Sequence, residues 1–253
     1  MFKMAIVRTP GKSMIHGVSS AKLGAPNYEL ARLQHTKYVE ALESCGLEVV
    51  TLPPNESFPD STFIEDVALL TPYCAIITNP GAPSRKGEIQ GLRDILGDYY
   101  TQIEQIQAPG TLEAGDIMMV GNHYYIGLSA RTNQAGAGQM IGFLEKYGMT
   151  GSLIELKQVL HLKTGVAYLE NNNLLVGGEF LTHPEFQKFH ILEIDASESY
   201  AANCIWINGK ILLPAGYPIA RKTIESTGYQ VLEIDTSEFR KLDGGLSCLS
   251  LRF

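Results

Sequence analysis

One figure recurs five times along the chain, and it restricts the fold more than any other feature. Phe63 to Leu70 followed by Cys74 to Thr78 returns as Leu112 to Val120 with Tyr124 to Leu128, and again as Lys163 to Leu169 with Leu174 to Gly178. Ala202 to Ile207 with Lys210 to Leu213 forms a fourth unit, and Asp243 to Leu249 opens a fifth. The units lie roughly 40 to 50 residues apart. Each opens with a lead-in strand, expected at Leu47–Leu52, Ile103–Gln107, Leu153–Val159, His190–Ile194 and Gln230–Ile234. A small or acidic turn then leads into a tight hairpin, with Gly121-Asn122, Asn171–Asn173 and Asn208-Gly209 as turn residues. Helices are expected over Tyr28–Cys45, Gly87–Leu96, Asn133–Tyr147 and Pro218–Thr227, each stopped by a glycine just past its end. The third unit offers only the short, proline-led His183–Phe189 for its helix. Strand, hairpin and helix repeated in this way predict a closed ring of ββαβ units in one domain over residues 1–253, with Met4–Val7 completing the last unit. An open α/β sheet is the alternative. The ring would bring equivalent turns from distant positions to one central channel.

Bulk properties narrow the partners. The chain is 45% hydrophobic and 19% charged, an ordinary globular balance. A net charge of -7 and a pI near 5.4 disfavour nucleic acid and anionic membranes, and suit a small cationic ligand. No run approaches the roughly 20 apolar residues of a membrane helix, and the start is too short an apolar run for a signal sequence, so a cytoplasmic location is expected. Cys45, Cys74, Cys204 and Cys248 lie far apart without CxxC pairing, which suits reduced thiols, and no His/Cys cluster has zinc spacing. The first three sit in apolar runs and read as core filler. A homodimer stays open.

Three units carry chemistry at neighbouring positions about the same turn. Glu113 precedes the Gly115-Asp116 turn, His161 stands just before Thr164-Gly165, and Cys248 lies three residues after Gly245. A ring would aim all three at one channel. A thiolate there could attack an electrophilic carbon, with its pKa lowered from about 8.5 by an imidazolium or a cationic substrate. His161 would protonate the leaving group and later activate water. Glu113 would orient His161 or hold a cationic part of the substrate. The surplus of carboxylates, Asp60, Glu65 and Asp66 besides Glu113, points to a positive substrate.

The runs Phe63–Ala68, Leu112–Ile117, Gly127–Asn133, His161–Gly165 and Asp243–Cys248, in that order along the whole chain, resemble the dimethylarginine dimethylaminohydrolases. The resemblance implies the five-fold pseudosymmetric α/β propeller of the guanidine-modifying (pentein) superfamily. It also implies hydrolysis of N-omega-methylated L-arginine to L-citrulline and a methylamine through a covalent thiouronium, without a metal or organic cofactor. Cys248 would be the nucleophile and His161 the acid and base. Glu113 and Asp66 would grip the guanidinium, with Glu65 at the same wall. Asp60 would meet the substrate amino group, and Arg85 and Arg131 its carboxylate. The aperiodic, small-residue stretch Pro10–Gly24 reads as a lid. Val18 within it, at a position where the family pattern has Leu, and Leu242 would offer backbone carbonyls. The rivals are a sister hydrolase acting on arginine or N-hydroxyarginine, and a non-catalytic propeller that only binds.

Overall fold

In the computed structural model, which describes residues 1–253, fifteen strands form five separate three-stranded sheets. The chain begins with β1 (Met4–Arg8), then α1 (Tyr28–Ser44) and β2 (Glu48–Leu52), which runs parallel to β1. The next sheet is an antiparallel hairpin of β3 (Ala68–Leu70) and β4 (Ala75–Ile77), then α2 (Leu92–Gly97) and β5 (Ile103–Gln105), parallel to β4. The same order gives β6 (Ile117–Val120), β7 (His123–Leu128), α3 (Gln134–Lys146) and β8 (Thr150–Glu155). The third sheet joins β9 (Val166–Tyr168), β10 (Asn173–Val176) and β11 (His190–Glu193). The fourth joins β12 (Ile205–Ile207), β13 (Lys210–Pro214), α4 (Pro218–Glu225) and β14 (Gln230–Ile234). After the short α5 (Ser237–Arg240), β15 (Ser250–Arg252) returns antiparallel to β1, so the two chain ends complete one ββαβ unit. Each lead-in strand therefore pairs with the preceding hairpin and closes that sheet.

The core decides between ring and open sheet. Successive strand side chains point to opposite faces, and both faces here are buried against neighbouring sheets. Ala5 and Val7 join a cluster with Ile205 and Leu212, while Ile6 between them joins Ala68 and Ile77. The same sharing links the β3–β5 sheet to the β6–β8 sheet through Ile76 and Ile126, the β6–β8 sheet to the β9–β11 sheet through Tyr125 and Leu174, and the β9–β11 sheet to the β12–β14 sheet through Leu175 and Leu213. Five clusters link five sheets in a closed cycle, which an open sheet cannot do. This is the predicted propeller.

Local chemistry explains the helix ends. Asn27 accepts from the Leu30 amide and Asn133 from the Gly136 amide, each satisfying a free N–H of the first turn. Between β12 and β13, Asn208 (φ 50°) and Gly209 (φ 91°) form the tight turn the dipeptide predicts. Two expectations need correction. The helix foreseen over Gly87–Leu96 is a 3-10 segment, Pro83–Ile89, followed by α2, because Gly91 at φ 72° breaks the run. The strand foreseen over Leu153–Val159 is β8, Thr150–Glu155: the Glu179 carboxylate takes the amides of Lys157, Gln158 and Val159 and draws the chain off the sheet. In the third unit, 3-10 turns at Gly178–Phe180 and Pro184–Phe186 stand in place of a helix. Cys45, Cys74 and Cys204 are free and buried in the core clusters.

Candidate active site

Every hairpin is preceded by a 3-10 turn: Ile64–Val67, Ala114–Asp116, Leu162–Thr164, Ala196–Asn203 and Ser247–Leu249. Chemistry sits on four of them. Asp66 lies within the first, Glu113 and His161 immediately precede the second and third, and Cys248 lies within the last. Glycines let these turns approach. A Cβ on Gly115 would lie 2.7 Å from Asp66 Oδ1 and 2.8 Å from His161 Nδ1, and one on Gly244 would lie 2.1 Å from the Phe63 ring. Only residues without a side chain fit there.

The buried groups form one network. His161 Nε2 lies 2.9 Å from Glu113 Oε2, while Glu113 Oε1 accepts from the Ala82 amide and lies 3.5 Å from Arg131 Nη1. Asp66 accepts from the Gly115 amide at 2.9 Å and from Arg85 Nη1 at 2.5 Å. One ligand atom each from Asp66, Glu113 and His161 falls within 4.8 Å of the others. Burial alone would lower the His161 pKa, but the Asp66 carboxylate, the hydrogen bond to Glu113 and the Asp116 charge outweigh it and raise it to about 9. The imidazolium is therefore the resting form at neutral pH. Burial pushes Asp66 up, yet the Arg85 guanidinium and His161 win and hold it below the usual carboxylate range. Burial, then Asp66 and Glu65, push the Cys248 thiol up to about 12, so it rests protonated.

Cys248, His161, Glu113, Asp66, Asp60, Arg85, Arg131, Val18 and Leu242 line one cavity of about 130 Å³. The lid stretch covers it: the Val18 amide donates to both Asp60 oxygens, Ser19 Oγ to the Lys241 carbonyl, and the Ser20 amide to Asp243. Burial raises the Asp60 pKa despite Arg85 nearby. Arg85 lines the cavity with its guanidinium already engaged, Nε and Nη2 by Glu88 and Nη1 by Asp66. Glu65, expected at this wall, is turned away. Its Oε1 pairs with Lys163 at 2.6 Å and Arg252 at 3.1 Å, and all three residues line a second cavity instead. The 3-10 turn Ile64–Val67 explains this, since at three residues per turn Glu65 and Asp66 project in directions about 120° apart.

Asp116 and Glu88 escaped the sequence reading. Asp116 accepts from the Leu162 amide, Ser129 and Thr132, so it fixes the turn that carries His161. Its signal was its place beside Gly115 in a recurring motif. Glu88 had none, because only tertiary contact pairs it with a buried arginine.

The family described as N,N dimethylarginine dimethylhydrolase, eukaryotic, matches residues 20–181. The N(G),N(G)-dimethylarginine dimethylaminohydrolase of Pseudomonas aeruginosa is 57% identical over 254 residues, covering 100% of both chains. The Streptomyces coelicolor protein of the same name is 31% identical over 253 residues, covering 99% of this chain and 96% of its own. A solved structure of the Pseudomonas enzyme, a cysteine-to-serine mutant complexed with citrulline, superposes with a TM-score of 0.99 at 57% identity, over 100% of both chains. The N-terminal domain of ArgZ, an arginine dihydrolase, shares the fold at 17% identity and TM-score 0.90, over 100% of this chain and 97% of its own. With relatives 57% and 31% identical along nearly its full length, the chain belongs to the dimethylarginine dimethylaminohydrolase family.

Proposed function

We propose that the chain hydrolyses N-omega-methylated L-arginine to L-citrulline and methylamine or dimethylamine, with Cys248 as nucleophile and His161 as acid and base. The single observation that carries this is the enclosure of a buried thiol, a His161–Glu113 pair at 2.9 Å and the Asp66 carboxylate in one cavity. Asp66 and Glu113 accept the guanidinium N–H groups. The cation then lies beside the thiol and opposes the carboxylates that keep it protonated. At about 4 Å and an effective dielectric near 20, such a charge contributes about 4 kcal/mol. That is roughly a thousandfold gain in thiolate.

The thiol proton leaves to solvent and Sγ attacks the guanidinium carbon. His161, held as the imidazolium, protonates the methylated nitrogen as its C–N bond breaks. The neutral imidazole then takes a proton from water, whose oxygen adds to the thiouronium carbon. The C–S bond breaks and citrulline forms. Asp60 and Arg131 face the amino-acid end of the substrate, and Val18 and Leu242 supply backbone contacts at the lid. A reducing cytoplasm suits the four free cysteines, and no helix is long and apolar enough to cross a membrane. Product analysis after incubation with asymmetric dimethylarginine, with arginine and N-hydroxyarginine in parallel, tests the reading. Citrulline and dimethylamine from the wild type and none from Cys248→Ser are expected. Equal turnover in both would exclude the nucleophile.

A further inference from the structure

The ring encloses a second cavity that the chemistry above does not use. It is formed by the same four segments as the first, but by adjacent residues: Glu65 beside Asp66, Ala114 beside Glu113, Lys163 two residues from His161, and Ser247 beside Cys248. Adjacent residues of these segments are divided between the two cavities, so the segments themselves form the partition. The rear cavity measures about 150 Å³, room for several waters.

The partition holds an ionic cluster with one unmet need. Glu65 Oε1 takes both Lys163 and Arg252, and Arg252 Nη1 also donates to the Ser247 carbonyl at 3.3 Å. Glu65 Oε2 is buried and receives no hydrogen bond from the protein. A buried carboxylate oxygen without a donor is costly. Water is the donor such a position takes, and buried waters occupy sites of this kind. The front entrance, by contrast, is covered by the tethered Val18–Ser20 lid and would be filled by the substrate's own amino-acid end.

We propose that the rear cavity is the water-loading site for the second half-reaction: the freed amine departs at the front, past the lid, and water then passes by Glu65 Oε2 to the thiouronium, whose amino-acid end still occupies the front. The inference rests on the covalent mechanism above. In the step it serves, the water oxygen bonds the thiouronium carbon and one water proton passes to His161. The C–S bond then breaks, and the remaining hydroxyl proton departs as the ureido carbonyl forms.

The test fills the rear mouth without touching the front. Leu69 and Met119, both half-buried, line the rear cavity from different sheets. Leu69→Trp and Met119→Trp should each release a stoichiometric burst of dimethylamine, then turn over at least tenfold more slowly with the adduct dominant by intact mass. Because amine release is the first irreversible step, kcat and KM should fall together with kcat/KM unchanged. The burst amplitude counts folded sites, so misfolding is separated from slow hydrolysis. Unchanged kcat in the variants, or loss of kcat/KM without adduct, overturns the proposal. Absence of citrulline from the wild type would instead sink the hydrolase reading itself.

Discussion

At the residue scale, the site rests with His161 as the acid its first step requires and with Cys248 as a thiol that a bound cation must ionise. The thiol pushed up to about 12 predicts slow alkylation of free Cys248 by neutral iodoacetamide at pH 7, with a rate that climbs toward pH 12. A cationic haloacetamidine should react far faster at pH 7, because it brings the opposing charge. Equal rates for the two reagents would refute substrate-assisted ionisation. His161 gives a stability prediction. Its pKa is raised from 6.5 to about 9 in the fold, so its stabilisation is fully present below about pH 6.5 and is lost as pH rises through about 9. Unfolding free energies from denaturant titrations should fall between pH 6 and 10 for the wild type by an amount on the order of 3 kcal/mol. The same series should be flatter for His161→Ala, and parallel slopes would remove the assignment. Cys248, His161 and Glu113 were legible as residues because each stands beside the same turn in its own unit. Glu65 misled for the same reason: a motif shows which residues cluster, while backbone direction decides which side of the partition each one faces.

The element that makes the chemistry is the 3-10 turn ahead of each hairpin. Its constraint is closeness. Gly244 and Gly245 bring the Cys248 turn against the Phe63 ring and Asn203, where added Cβ atoms would lie 2.1 and 2.5 Å from those side chains. Gly245→Ala should therefore cost about 1–3 kcal/mol of stability. It should cost activity more than this implies, since a shift of about 1 Å at the nucleophile can lose a hundredfold in rate. Thermal melting alongside kcat/KM checks this, and wild-type activity in the variant would show that the turn tolerates displacement. Legibility at this scale followed local signals. Helices α1, α3 and α4 carry Asn, Pro and Gly at their ends and match expectation within a few residues. The split before α2 and the early end of β8 depend on a positive φ at Gly91 and on the Glu179 carboxylate reaching back across about twenty residues. Neither leaves a periodic trace.

For the whole molecule, stability lies between sheets rather than within them. Every sheet donates alternate side chains to two different clusters, so no unit buries its faces alone. Deleting residues 250–253 removes β15, the Leu251 contact with the Ile6 cluster and the Arg252 pair to Glu65, and uncovers one edge of β1. Loss of a cooperative melt is expected by calorimetry, and a retained single transition would argue that the β1–β2 pair closes the ring without β15. The recurrence of hairpin, turn and helix pointed to a closed ring and to the thiol, imidazole and carboxylate at its turns, because periodicity and turn chemistry are local and written in order along the chain; the clusters shared between sheets then decided the ring over an open sheet. The division of adjacent turn residues between two cavities, the engagement of Arg85 by Asp66 and Glu88, and the turning of Glu65 to the rear were decided only by tertiary structure. These depend on where charges from distant segments meet once water is excluded, and no spacing in the sequence encodes that encounter.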